Sequence, residues 1–519
     1  MSAPALGTTL RRAVHAAVRA AALACVALLL SAHIGTNDAF YDGMAGAYPV
    51  RVTVRMPGVI PGQAQIDVRV LQGSARRVLV QVALWQVGRK GAPAPDEAKP
   101  VAGAPGTFSA PLWLMTSGSY TVNVTVEGAQ GTGTATVPVN AVATARLGMN
   151  PALGWGLVVL GAALFAGLLT LVGAALRESV VAPGEVPDAG RRRMGRAGIG
   201  VTAAIAALAL VGGNTWWKSV DRGYERGMYR PAKGAARVIQ GAGGDSLRFT
   251  LVDSLFFNGR TTPLIPDHGR LMHLFVVRSP SHDALAHLHP TRVDSATFDM
   301  ALPELPAGHY KLFGDVVHES GFTRTVVAEA DLPGAAPTSE AAARRALASV
   351  SAGGASDGDD AWINTGASNG GPVAAGLPVP LGSGYVLRME PGPAPVAGKD
   401  AGLRFTVRDG SGQIATLHPY LGMAAHAVVL RDDESVFVHL HPMGTVSMAA
   451  QARLLRREAG DTVMHGADQP AESNVHDAMT YAGTVSFPFA FPKPGHYLVW
   501  VQVRPNDAVR TAVFEVLVR

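Results

Sequence analysis

The chain has 519 residues, 48% hydrophobic and only 16% charged, which at ~150 residues per domain leaves room for about three domains. Against 44 basic residues stand 39 acidic ones, a formal charge of +5 with no long basic run, so a nucleic-acid partner is not expected. The only cysteine is Cys25, which excludes a disulfide framework, a cysteine-based zinc site and a thiolate copper site from the soluble part of one chain.

The first apolar stretch runs from about Ala13 to Ile34 behind Arg11 and Arg12, with Arg19 near its start. Its strongest core, Ala20 to Leu30, has the length of a signal peptide or signal anchor, and residues 1–35 are assigned to one of these. Residues 40–146 then read as strands. Val50, Val52, Val54 and Met56 alternate with Arg51, Thr53 and Arg55. Ile66, Val68 and Val70 repeat the pattern, as do Val78 to Leu84 and Tyr120 to Val126. Period-two alternation between Gly/Pro turns predicts a β-sandwich. This region holds no histidine, cysteine or carboxylate cluster, and reads as a binding or scaffold domain.

Two further apolar stretches follow. Residues 151–176 carry no charge and exceed the ~20 residues needed to span a bilayer. Residues 197–217 are Ala/Gly-rich and end in Trp216-Trp217, which suits an interfacial belt. The loop between them, 177–196, contains Arg177, Arg191, Arg192, Arg193 and Arg196. The positive-inside rule places it in the cytoplasm, and residues 35–150 and 218–519 outside. Neither span holds an ionisable residue, so no transport pathway is expected.

The C-terminal half repeats itself. Leu247-Arg248-Phe249-Thr250 recurs as Leu403-Arg404-Phe405-Thr406. Pro266, Gly269 and His273 recur at the same spacing as Pro419, Gly422 and His426. His287-Leu288-His289-Pro290 recurs as His439-Leu440-His441-Pro442, and Pro306-Ala307-Gly308-His309-Tyr310 as Pro494-Gly495-His496-Tyr497. Two copies of one module are therefore expected at 235–334 and 375–519. A linker at 335–374 separates them, rich in Ala, Gly, Ser and Asp with a helix-like stretch at Ser339 to Val350. The second copy carries an insert, 449–481, with a helix-like Gln451 to Arg457.

In the second copy, a hairpin turning at Asp432-Asp433 sets His426 opposite His439, and His441 lies two residues along the same face. In the first copy, a turn near Pro280 pairs His273 with His287, and His289 joins them. A one-residue slip would destroy either arrangement. Three convergent neutral imidazoles suit Zn²⁺ or Cu²⁺. The candidate ligands are His273, His287, His289, His426, His439 and His441. Met272, Met423 and Met443 stand nearby, and thioethers favour Cu(I). Met272, adjacent to His273, should point to the opposite face of a regular strand. The same face carries Phe275, Val277 and Leu285 in one copy, and Val428, Leu430 and Phe437 in the other. Half-buried core histidines bonded to backbone therefore remain a second reading. His309 and His496 read as structural. His268, His318, His465 and His476 occur in one copy only and receive no role. No H-E-x-x-H, G-x-S-x-G or P-loop occurs, and no enzymatic activity is expected.

On these residues the chain resembles a group of bacterial envelope proteins whose histidine-rich β-modules carry an M-H-L…H-L-H-P…P-x-G-x-Y signature. Here it reads Met272-His273-Leu274, His287-Leu288-His289-Pro290 and Pro306-Ala307-Gly308-His309-Tyr310. The second copy has Ala424-Ala425-His426 where the first has Met-His. Residues 40–146 resemble YtkA-like domains, small immunoglobulin-like sandwiches, and the modules are similar to copper-resistance and cupredoxin-like sandwiches. The resemblance covers residues 40–519. It implies a mainly β chain of three immunoglobulin- or cupredoxin-like sandwiches with two or three transmembrane helices, in a bacterial inner membrane with its domains on the periplasmic or extracellular side. It implies copper as the metal, with zinc the alternative, held for buffering, sensing or delivery. Without a cysteine ligand, a blue-copper electron-transfer centre is excluded. A membrane-tethered scaffold recruiting other envelope proteins, and a zinc hydrolase with an open coordination position, are the alternatives.

Overall fold

The computed structural model describes residues 38–182, 184–241, 245–257, 261–334, 358–365, 371–468, 479–506 and 508–519. The expected signal segment 1–35 and the helix-like Ser339 to Val350 stretch lie outside these residues. The chain divides into two units. One is Val142–Tyr229; the other joins residues up to Ala141 to Arg230–Arg519.

The smaller unit is a pair of helices, α1 (Pro151–Glu178) and α2 (Ala189–Gly227). Both are long and apolar enough to cross a membrane, with mean hydropathies of 2.4 and 1.7 over their most apolar windows. Pro151 occupies the first turn of α1, where its missing N–H costs nothing, and the Asn150 side chain accepts from Ala152 N. Asp188 caps α2 by accepting from Arg191 N. The cap starts α2 eight residues before the expected span. Arg191, Arg192, Arg193 and Arg196 are therefore helical, and the connection shrinks to residues 179–188. The helices meet at glycines: a Cβ on Gly195 would sit 3.1 Å from the Gly173 carbonyl oxygen. Small residues permit this close backbone approach.

The larger unit is built from sheets. Strands β1 (Ala39–Ala45), β2 (Tyr48–Arg55), β3 (Gly62–Val70), β4 (Ala75–Leu84), β5 (Thr107–Leu114), β6 (Gly118–Gly128) and β7 (Gly131–Ala141) form its first part. One sheet runs β1-β2-β3-β5 and the other β4-β6-β7, each with a two-residue edge strand. The alternating valines Val50, Val52, Val54, Val78, Val80, Val122 and Val124 are buried.

The first histidine module contains β8 (Ala232–Ile239), β9 (Ser246–Leu251), β10 (His273–Arg278), β11 (Ala284–Leu288), β12 (Thr297–Ala301), β13 (Gly308–His318) and β14 (Thr323–Leu332). Their order is β12-β9-β8-β14-β13-β10-β11. Strand β8 switches partners: Ala232 and Lys233 pair parallel to β14, and Gly234 to Ile239 pair antiparallel to β9. Within the linker, Ala361–Asn364 forms a strand, β15, on the open edge of β11. Its apolar Ala361-Trp362-Ile363 run supplies an edge-covering strand.

The second module contains β16 (Pro378–Gly382), β17 (Tyr385–Met389), β18 (Leu403–Arg408), β19 (Ala425–Arg431), β20 (Phe437–Leu440), β21 (Thr484–Phe487), β22 (Gly495–Val503) and β23 (Arg510–Val518). Its sheets run β23-β22-β19-β20 and β16-β17-β18-β21. The first matches β14-β13-β10-β11 strand for strand. The insert forms helix α3 (Met448–Glu458), capped by the Ser447 side chain accepting from Ala450 N.

Both faces of β10, β11, β19 and β20 are covered. Leu274, Val276, Ala286 and Leu288 point into the first module's core, and Ala427, Val429, Val438 and Leu440 into the second's. The opposite faces meet each other. Phe275, Val277, Leu285 and Phe313 of one module and Val428, Leu430, Phe437, Trp500 and Val513 of the other form one shared apolar cluster. The Phe313 and Phe437 rings stack at 4.2 Å.

Candidate metal centre

The histidines lie on this shared face because a strand alternates sides with period two. His273 precedes Phe275 and Val277 along β10, and His287 and His289 follow Leu285 from β11. His426 precedes Val428 and Leu430 along β19, and His439 and His441 follow Phe437.

The strand registers differ from the expected ones by two residues. Phe275 pairs with His287 and Leu274 with Leu288; Val428 pairs with His439 and Ala427 with Leu440. The cause is the turn. Arg431 N donates to Val436 O, so four residues rather than two close the second hairpin, with Glu434 in the left-handed region at φ 58°. A shift of two preserves the face, so the imidazoles still converge.

Among the described residues, seven imidazoles form one continuous group. Ring centroids are 5.4 Å apart for His273–His287, 5.1 Å for His273–His289 and 4.6 Å for His287–His289. They are 5.0 Å apart for His426–His441 and 4.5 Å for His439–His441. His439 stands between the copies, 5.4 Å from both His273 and His426. Within the group are two sets whose ligand nitrogens lie within 4.8 Å of one another: His273, His287, His289 and His268, His426, His441.

His268 is the member sequence reasoning left without a role. It precedes β10 with a left-handed backbone, φ 52°, and its ring lies 5.1 Å from His441. Its counterpart Leu421 has the same backbone, φ 51°, so the repeat preserves the bend but not the imidazole. His439 lies outside both sets, its Nδ1 3.6 Å from Asp315 Oδ2. Met272 is buried in the first module's own core, on the other face of β10. His318 and His465 stand apart from the cluster, on Thr262 O and Asp461. His309 and His496 sit at the starts of β13 and β22. His476 lies outside the described residues.

Hydrogen bonding fixes which nitrogens face inward. His273 Nε2 lies 3.2 Å from Asp267 O, which can only accept, so this nitrogen carries the proton. His287 Nδ1 lies 2.9 Å from Gln502 Oε1 and 3.0 Å from the Tyr420 hydroxyl. Gln502 Nε2 donates to Thr511 Oγ1, which leaves its oxygen for His287. The two remaining nitrogens, His273 Nδ1 and His287 Nε2, are 3.2 Å apart. With the outer nitrogens protonated, two lone pairs confront each other, an arrangement relieved by a cation. His289 Nδ1 is held at 3.0 Å by Asp360 Oδ1, and its Nε2 has no partner. In the second set, His441 Nδ1 faces Val446 O at 3.4 Å. His441 Nε2 and both nitrogens of His426 are buried without hydrogen-bond partners among the described residues, as is His439 Nε2.

Burial pushes His273, His287, His426 and His439 well below the ordinary imidazole value, and repulsion from neighbouring histidines adds to it. Burial likewise pushes His441 down to about 4. These rings are neutral at physiological pH, the form that ligates metals. Burial raises Asp315 to about 7. The donor set is thus convergent and all-nitrogen, and the outer nitrogens of His273, His287, His289 and His441 are oriented by carbonyl, amide or carboxylate oxygens. Such outer contacts are what metal-binding histidines require.

The geometry defines a β-rich protein with a buried polyhistidine centre between two like modules and a pair of helices able to cross a membrane. The DUF8832 family model, a domain of unknown function, matches residues 243–333 and 381–519, taking in both modules. No curated protein matches the chain. Among solved structures, an engineered protein shares 23% identity over 19% of this chain, with a TM-score of 0.16, and the chain covers 21% of its length. A putative membrane anchored protein from Corynebacterium diphtheriae aligns over 92% of this chain and 95% of its own, at 9% identity and a TM-score of 0.14. Dimeric latent PorU from Porphyromonas gingivalis aligns over 93% and 34%, at 7% identity and 0.13. Similarities this low carry no argument about fold or function.

Proposed function

We propose that this is a non-enzymatic, membrane-anchored bacterial envelope protein that binds a transition metal through the histidines between its two β-modules. Its role is metal buffering, sensing or delivery. The observation that carries the reading is the facing pair His273 Nδ1 and His287 Nε2, 3.2 Å apart, beside the unpartnered His289 Nε2. Copper is the first choice. Among divalent first-row metals an all-nitrogen site favours Cu²⁺, and imidazole suits zinc as well. The residues fit either ion.

The helix pair supports membrane anchoring, and the chain on both sides of it folds into one compact unit, as two crossings require. Arg177, Arg191, Arg192, Arg193 and Arg196 cluster at the connected ends of the helices, which supports a cytoplasmic position for that end. Residues 38–141 and 230–519 then lie on the outer side.

The test uses the full chain, purified in detergent without a histidine tag, exposed to equimolar copper and zinc and desalted. Bound metal is measured beside a variant carrying His273→Ala, His287→Ala, His426→Ala and His439→Ala. The reading fails if the wild type retains no more metal than the variant. Sidedness is checked with an impermeant maleimide in a Cys25→Ser background: Thr291→Cys labels in intact cells and Ser179→Cys does not.

A further inference from the structure

Resting on the metal-binding reading, we infer that the cluster holds two ions, and that the second ion is shared between the modules and ties them together. Seven imidazoles are too many for one ion, since zinc and copper sites take about three or four protein ligands. The two sets of three share no residue. The first set belongs wholly to the first module, with His273 on β10 and His287 and His289 along and just beyond β11. The second set is mixed. His426 and His441 come from the second module, whereas His268 comes from the first, five residues ahead of β10.

The departure from the repeat is informative. By internal symmetry, the second set would be His426, His439 and His441, all from one module. Instead His439 turns toward Asp315 of the first module, and His268 takes the third place. His268 has no counterpart imidazole, since Leu421 stands there. The bend at φ 52° delivers its ring to within 5.7 Å of His426 and 5.1 Å of His441. The nitrogens that receive the second ion are buried, and those of His426 and His441 Nε2 make no hydrogen bond. An ion there is coordinated from both modules, so its arrival stiffens their contact, while the first ion acts within one module.

The experiment loads the full detergent-solubilised chain with Cu²⁺, or separately with Zn²⁺, removes excess metal and counts ions per chain. The thermal midpoint is followed as metal is added. The wild type takes two ions, and the second equivalent raises the midpoint further. His268→Asn, which keeps a residue tolerant of the left-handed backbone, retains one ion and loses the second increment. His441→Gln does the same, and His287→Gln with His289→Gln also leaves one ion. The single ion retained shows that each variant is folded. A wild type that binds one ion overturns this inference and leaves the metal-binding reading standing. Two ions retained by His268→Asn overturn the shared site. No binding by the wild type overturns both.

Discussion

Replacing His426 by leucine should stabilise the metal-free protein while weakening its response to metal. His426 is fully buried, and neither ring nitrogen has a hydrogen-bond partner. A buried donor or acceptor left unsatisfied costs about 1–3 kcal/mol, and a neutral imidazole has one of each. Leucine removes both and keeps an apolar side chain of similar bulk beside Tyr420, whose ring is 5.0 Å away. Repacking around a volume-conserving change costs less than about 1.5 kcal/mol. The net expectation is a gain of about 1 kcal/mol or more. For a region of 150–250 residues, that raises a thermal midpoint by roughly 2–4 °C per kcal/mol. The assay is calorimetry of the full chain in detergent with a strong chelator, variant beside wild type at neutral pH. Metal at a hundredfold excess over its Kd stabilises a binding site by about 2.7 kcal/mol, so the wild type gains on metal addition and His426→Leu gains less. A variant less stable than wild type in chelator by more than about 1 kcal/mol would refute the reasoning, because His426 would then be a satisfied core residue.

In chelator, stability should fall on acidification. His273, His287, His426, His439 and His441 have folded-state values below the unfolded 6.5, with His441 at about 4, so the unfolded chain binds more protons in that window. Stability is therefore full above about pH 6.5 and lost as pH drops toward 4; a midpoint unchanged from pH 7 to 5 contradicts the buried-neutral assignment. Gln502→Leu removes the amide acceptor for His287 Nδ1 and leaves only the Tyr420 hydroxyl, and should lower metal affinity about 10-fold, the low end for losing an outer contact, with ion count unchanged in a titration. Glu319→Ala strips one of two carboxylate partners of the wholly buried Arg453, 3.1 Å away, and leaves Asp461. It should cost about 3 kcal/mol, the low end for breaking a buried pair, because Arg453 still donates to Asp461 O and Val463 O; urea denaturation reads the loss.

Much of this was legible in the sequence, and the exceptions have identifiable causes. The alternation of His273, Phe275 and Val277 fixes the face of β10, and a register shift of two cannot move a residue to the other side. The turn lengths were not legible, because a four-residue turn at 432–435 and a two-residue one fit the same polar run. Phe275, Val277, Leu285, Val428, Leu430 and Phe437 pointed toward a half-buried core. They are instead the contact between modules, and nothing local in a strand states which surface covers its second face. His268 was hidden because it breaks the repeat, and Asp360, which holds His289, because it lies in a linker of irregular composition.

The pairing of the modules also explains why the repeat belongs in one chain. Aligned on Gly308 and Gly495, Asp315 of β13 corresponds to Gln502 of β22, and Phe313 to Trp500. Gln502 of the second module reaches His287 of the first, and Asp315 of the first faces His439 of the second. The turns cross as well: His282 Nε2 lies 2.9 Å from Glu434 Oε1, from equivalent hairpins. Each half thus supplies the outer contact for a histidine of the other. A module alone would leave His287 without its amide partner and would expose a contiguous face of Phe275, Val277, Leu285 and Phe313, the kind of apolar patch that soluble surfaces rarely carry. The site is a property of the pair.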